Sequence, residues 1–302
     1  MTTQINRLDE IEVDERSPMD TLPYWARATN PIVRRHLGLY WRTLPPEIEP
    51  ILYIVGGWVV ALLIGIILPF ITDLATMLIV VSVMVIPLAM FFYVRALFSI
   101  AANSAVAMSD EMRNKTMHLL MSTPMSLDQI LLGKVAASIW RKMDDLILIV
   151  QVGAFFGPPL IIMHYAGLFP LYESGVIGYP LIIGMCIVSL VRLILEPVMF
   201  GMIGVGIGTF VPYRSTAMMS SVALVGFYFL LMYMVNQLST QTIVSALEAV
   251  GQATDLTLSA ANLRLVSALA FMIAADFVLP LLLPYVLIRF MIRVVRQQVQ
   301  SI

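Results

Sequence analysis

The stretch that decides the fold is Ile51–Ile71, ILYIVGGWVVALLIGIILPFI, twenty-one residues without a single charge. At about 1.5 Å of rise per residue such a run, wound as a helix, crosses the ~30 Å hydrocarbon core of a bilayer. Charge-free runs recur along the chain, as in Val222–Val235. The composition agrees: 60% of the 302 residues are apolar and only 12% are charged, against about a quarter in soluble domains. The expected fold class is therefore an all-α membrane protein.

Working outward from that run gives six spans. The second occupies about Thr76–Ile100 and continues towards Met108, with Arg95 near its far end, after a short turn at Thr72–Ala75. The third, about Leu146–Ala166, holds Gly157-Pro158-Pro159, which should kink it or end it early. Val176–Val211 is too long for one straight crossing, so it is one kinked helix or two shorter pieces. The fifth span covers about Thr216–Asn236, the more polar Gln237–Asn262 follows, and the last is about Leu265–Phe290.

Lysine and arginine set the orientation. Arg7, Arg16, Arg27, Arg34, Arg35 and Arg42 precede the first span, and Arg113, Lys115, Lys134, Arg141 and Lys142 lie between the second and third. Arg214 lies between the fourth and fifth, and Arg289, Arg293 and Arg296 at or after the sixth, while the other side holds only Arg264. Arg95 and Arg192 fall inside spans. Splitting Val176–Val211 would carry Arg214 and the C-terminal arginines outside, so the bias favours one crossing there. Six spans with both ends in the cytoplasm is the expected arrangement.

Ahead of the first span, residues 1–30 form an acidic tail and 31–46 an amphipathic helix. Pro31 suits a first turn with Asn30 as its cap, and Val33, Leu37, Tyr40, Trp41 and Leu44 recur at helical spacing. Such a helix fits the cytoplasmic membrane interface. No uninterrupted apolar stretch resembling a cleavable signal occurs in the first fifty residues, so an internal span is expected to direct insertion.

Polar chemistry is sparse. The net charge of −1 gives no basic surface for nucleic acid, and the single cysteine, Cys186, reads as a small buried hydrophobe. His36, His118 and His164 are too dispersed for a metal site, and no H-E-x-x-H or G-x-S-x-G occurs. Inside the spans, Arg192 and Glu196 stand at i, i+4 and can pair, whereas Asp276 has no sequence-local partner. Such groups either line a path or fix helix packing. Gly204-x-x-x-Gly208, with Gly201 and Gly206 near, permits close helix contact within the bundle or across a dimer.

The region 109–142, Ser109 to Lys142, is the longest charged segment after the tail. It reads as two helices broken at Ser122-Thr123-Pro124, with Ser126 and Gln129 as a capping box for the second. Glu111, Thr116, Leu119, Leu120, Thr123, Pro124 and Ser126, followed by Leu132-Gly133-Lys134, resemble the first cytoplasmic loop of ABC-2-type transporter permeases. Asn30–Arg35 and Gly206–Ala217 are similar to that family's interfacial helix and its fourth-to-fifth span connection. One departure stands out: the family usually has glycine before the threonine, and here it is Lys115.

The resemblance implies that 51–292 is a six-helix permease domain whose loop couples it to a separate cytoplasmic ATPase, with Glu111 near the docking surface. It also implies a membrane-dipping segment before the last span. A second permease copy or homologue would complete the transporter, in the cytoplasmic membrane of a prokaryotic cell. No G-x-x-x-x-G-K-[ST] exists in the chain, so it is expected to be no enzyme and to need no cofactor. A non-transporting assembly subunit of a larger membrane complex is the alternative. A secondary transporter ranks third, for want of an inverted repeat.

Overall fold

A computed structural model describes residues 22–27, 30–37, 49–68, 77–169, 171–253 and 258–300. The acidic tail as far as residue 21, residues 38–46 of the expected amphipathic helix and the turn Thr72–Ala75 lie outside the described residues. The elements are helices: α1 (Pro31–Leu37), α2 (Glu49–Ile67), α3 (Ile79–Arg113), α4 (Met117–Met121) and α5 (Leu127–Trp140) come first. Then follow α6 (Met143–Leu168), α7 (Leu171–Phe210), α8 (Arg214–Gly251), α9 (Leu258–Ile273) and α10 (Leu279–Gln300). A π-helical turn, Ala274–Val278, joins α9 to α10 without a break. No strand occurs among the described residues.

Six helical stretches are long and apolar enough to cross a membrane: α2, α3, α6, α7, α8, and α9 with α10. The chain is a multi-pass membrane protein. Its outer faces are apolar, with Tyr53, Ile67, Met84 and Phe91 of α2 and α3 exposed, as bilayer solvent requires and water would not tolerate.

Of the two outcomes expected at Pro158 and Pro159, a kink or an early end, the early end does not occur, since α6 runs on to Leu168. In a bundle, packed neighbours offset the amide hydrogen bonds that proline removes. The polar segment after the fifth span is not a separate dipping element as far as Gly251, because α8 continues through it. Val176–Phe210 is one helix, within α7.

The bundle is organised around α3 and α7. Gly204 and Gly208 of α7 sit against the carbonyl oxygens of Ala101 and Ala105 on α3, leaving no space for a Cβ at either position. The glycine pair is therefore used within this chain. Three larger apolar cores lie along the bundle, beside a small one under α1. The middle one joins Leu97, Ile100, Phe200, Ile203 and Tyr228 from α3, α7 and α8. At one end Ile32, Met108, Ile130, Leu131, Val205 and Val295 bring α1, α3, α5, α7 and α10 together. At the other end Leu62, Tyr165, Ile182, Ile243 and Met272 join α2, α6, α7, α8 and α9. Thus the N-terminal helix, the 109–142 region and the chain's last helix meet at one end. Ser109 Oγ donates to Val211 O at 3.0 Å there, and Arg296 pairs with Asp128 at 2.7 Å.

Candidate functional site

The loop begins inside α3. Ser109–Arg113 is that helix's last turn, so the first of the two expected loop helices is split. Glu111 and Arg113 belong to α3, and Met117–Met121 to α4. The break has a local cause. Lys115 has φ 56°, a left-handed conformation that costs a side-chain-bearing residue roughly 1–2 kcal/mol and costs glycine nothing. It is the position at which the resembled family usually has glycine. Thr116 then closes the turn, its amide donating to Glu111 O at 3.1 Å, and its own carbonyl accepts from Leu119 and Leu120.

Beyond that turn the paired leucines part. Leu120 packs with Met117 and Ile130 in the end core, while Leu119 is 70% exposed. Ser122 and Thr123 hydroxyls donate to Leu119 O and Leu120 O at 2.8 and 2.6 Å, and both residues are exposed together with Pro124. The expected capping box opens α5: Gln129 N–H donates to Ser126 Oγ at 3.3 Å and Ser126 N–H to Gln129 Oε1 at 3.1 Å. The result is a short, hydrogen-bonded, half-apolar tip standing out from the bundle end.

Its base is a buried ionic node. Lys134 is wholly buried between α5 and α3, where its Nζ pairs with the Glu111 carboxylate and lies 3.5 Å from Met108 Sδ. Glu111 is itself only 7% exposed. The carboxylate that the resemblance places near a docking surface therefore faces inward, and what it holds is the lysine. Burial drives the Lys134 ammonium below its usual value, with Glu111 opposing that shift; an unpaired charge there would be far costlier.

The first helix covers this node. Asn30 caps it as expected, accepting from Ile32 N–H at 2.9 Å. Val33 and Leu37 pack on Ala136, so the apolar face of α1 is covered by α5. Gly133, between Leu132 and Lys134, lies against α1: a Cβ there would stand 3.4 Å from Ile32, about ordinary contact. Trp140 Nε1 donates to Ala26 O at 2.8 Å, and Arg141 to His36 O. His36 Nε2 lies 3.8 Å from Glu111 and has no hydrogen-bond partner. Burial, helped by Lys134, holds this imidazole below its ordinary range. Beside it opens a polar cleft of about 370 Å³, lined by Arg35, Arg141 and Arg214 with Asp110 and Asn103.

Comparison with protein-family models, curated proteins and solved structures returns no match.

Within the spans the structure confirms one pair and completes another. Arg192 and Glu196 are ion-paired, and Glu196, 1% exposed, also accepts from Tyr93 Oη at 2.9 Å and Tyr228 Oη at 2.7 Å. One carboxylate thus ties α3, α7 and α8. Asp276, in the π-helical turn, accepts from Tyr165 Oη of α6 at 3.1 Å. The seven loop residues share one end of the bundle, while Arg192 with Glu196 and Asp276 have separate partners inside it. Tyr93, Tyr165 and Tyr228 escape sequence reasoning because tyrosines in spans are common. Lys134 carried a signal: a lone lysine inside ILLGKVAAS must find an acid if that helix is buried.

Proposed function

We propose that this chain is the membrane subunit of an ATP-driven transporter of the ABC-2 class, with both ends cytoplasmic, that docks a separate ATPase through residues 109–142. A second copy or a homologue completes the membrane path. The observation that carries the reading is the build of that loop. It is fixed at its base by the Glu111–Lys134 pair and shaped by a left-handed turn at Lys115. It presents Leu119, Thr123 and Pro124 outward, beside the arginine-lined cleft. A half-apolar tip held in one conformation is what a mechanical contact with a moving partner needs, because an ordering cost on docking is avoided.

The distribution of lysine and arginine supports a cytoplasmic placement of this end, which is where ATP is available. Within this proposal Glu111 and Thr116 hold the loop's shape, and Leu119, Thr123 and Pro124 make the contact. The retained turn at Lys115 weakens the alternative of a non-transporting assembly subunit, since the substitution that hints at divergence leaves the geometry in place.

The test is whether the neighbouring reading frame encodes a Walker-motif ATPase and whether that ATPase co-purifies with this chain. Leu119→Asp alters only an exposed side chain and should abolish capture of the ATPase while the membrane subunit stays folded. Undiminished capture by this variant refutes the docking assignment. Stable association of the wild type with an unrelated membrane complex, and with no ATPase, would favour the assembly-subunit reading.

A further inference from the structure

A cavity of about 420 Å³ lies between α2, α3, α6 and α7, away from the loop and from the ionic node. That volume is within the ~300–1,000 Å³ of small-molecule sites, which are typically apolar with a few polar groups. Along α7, Arg192 is about 22 Å from Ile177 and about 27 Å from Phe210 at ~1.5 Å per residue, so this wall stands at hydrocarbon depth. Trp58 of α2 and Cys186 of α7 contribute apolar surface. The floor is set by α6, where Gly153 and Gly157 lie one turn apart and a Cβ at either would meet nothing within 4 Å.

The rim is as informative as the floor. Val59, Leu63, Met90 and Ile187 line the cavity and are exposed on the outside of the bundle, so the space opens sideways onto the lipid. Most of the lining is apolar, so ordered water, which wants two to four polar partners, is a poor occupant of all but one end. The polar groups are Ser189, Arg192 and Glu196 with the Tyr93 hydroxyl and the Trp58 indole, and Glu196 is already engaged by Arg192 and by the Tyr93 and Tyr228 hydroxyls. Because Glu196 balances the charge of Arg192, the wall asks for no anion.

From this we infer that the cavity is a binding site for one acyl chain of a membrane lipid, which enters laterally between the exposed rim residues and ends against the Arg192–Glu196 pair. The inference does not depend on the transport reading. The occupied site completes the packing of α2, which is otherwise largely exposed, against α6 and α7.

The experiment uses the full chain in vesicles of phosphatidylethanolamine and phosphatidylglycerol, doped with a phosphatidylcholine carrying a diazirine midway along one acyl chain. After irradiation, labelled peptides are mapped. Label should concentrate in 152–161 and 183–193, and should be lost in Gly153→Leu and Gly157→Leu, which fill the floor. It should persist in Gly226→Leu, whose Cβ also meets nothing within 4 Å but lies outside this cavity. Gly153→Ala and Gly157→Ala give a graded reduction and guard against a filled variant that fails to fold. Label spread evenly over the lipid-facing helices, or unchanged by filling, overturns the inference. A gain in thermal stability on filling, with labelling unaltered, identifies an empty void and overturns it equally.

Discussion

Replacing Gly208 by alanine should destabilise the protein although alanine is the better helix former. A Cβ at this position would fall against the carbonyl oxygen of Ala105, with Met108 Cβ at 2.9 Å and Ser109 N at 3.0 Å. Comfortable separations are ~3.5–4.0 Å. The obstructing oxygen is backbone, so no rotamer change relieves it and α3 must move away from α7. Overpacking of this kind costs roughly 1–3 kcal/mol. The helix-propensity gain of alanine over glycine offsets up to about 1 kcal/mol of that, and a net loss of about 1–2 kcal/mol remains, some tenfold in the folding equilibrium.

Gly204, against Ala101 O, should behave alike. Gly206 should be milder, because its neighbour at 2.8 Å is the sulfur of a flexible methionine, Met291. Gly226, with nothing within 4 Å, should lose nothing and gain helix propensity. The assay is the unfolding midpoint of the detergent-solubilised protein, followed by tryptophan fluorescence across the alanine series. If Gly204→Ala and Gly208→Ala unfold at the midpoint of Gly226→Ala, the two helices are not in backbone contact and the central packing is wrong.

Two further outcomes follow from the buried charges. Glu196→Gln leaves Arg192 without its counter-charge inside the bundle and should cost about 3 kcal/mol, impairing assembly or transport, whereas Tyr93→Phe removes one hydrogen bond for about 1 kcal/mol; equal midpoints for wild type and Glu196→Gln would remove the pair from the architecture. His36 has its pKa held below the ordinary 6.5 by burial and by Lys134, Arg35 and Arg141, with Glu111 opposing. The folded state therefore binds fewer protons than the unfolded one just below that value, so stability is full above about pH 6.5 and falls as the pH drops through it. Unfolding midpoints of wild type and His36→Gln across that window should diverge on acidification, and parallel curves would refute the assignment.

Much of the fold was legible because bilayer solvent makes local sequence decisive. Charge-free runs give spans, Ser126 with Gln129 gives a helix start, and Arg192 with Glu196 sit one turn apart on one helix. The capping of Pro31–Leu37 by Asn30 belongs to the same local class. What was missed is long-range. Tyr93 and Glu196 are brought together by the register of α3 against α7, and Tyr165 meets Asp276 through the placing of α6 beside the π-helical turn. Lys134 and Glu111 were both visible within the loop motif, yet their pairing depends on α5 folding back under α3. The prolines of α6 left a kink and an early end equally open in the sequence, and the helix running on to Leu168 removes the second. The loop residues lie together at one end of the bundle, but which of them face outward and which are buried needed coordinates.

The glycine contact also has a mechanical consequence. It clamps α7 to α3 at two successive turns, so the pair behaves as one stiff beam. Glu111 lies at the loop end of that beam and Tyr93 about 27 Å along it, at ~1.5 Å per residue. Under the proposed docking, a push on the 109–142 tip would enter through the Glu111–Lys134 node and reach the Tyr93–Glu196 contact without sliding between the two helices. The largely exposed α2 is the span least tied to that beam.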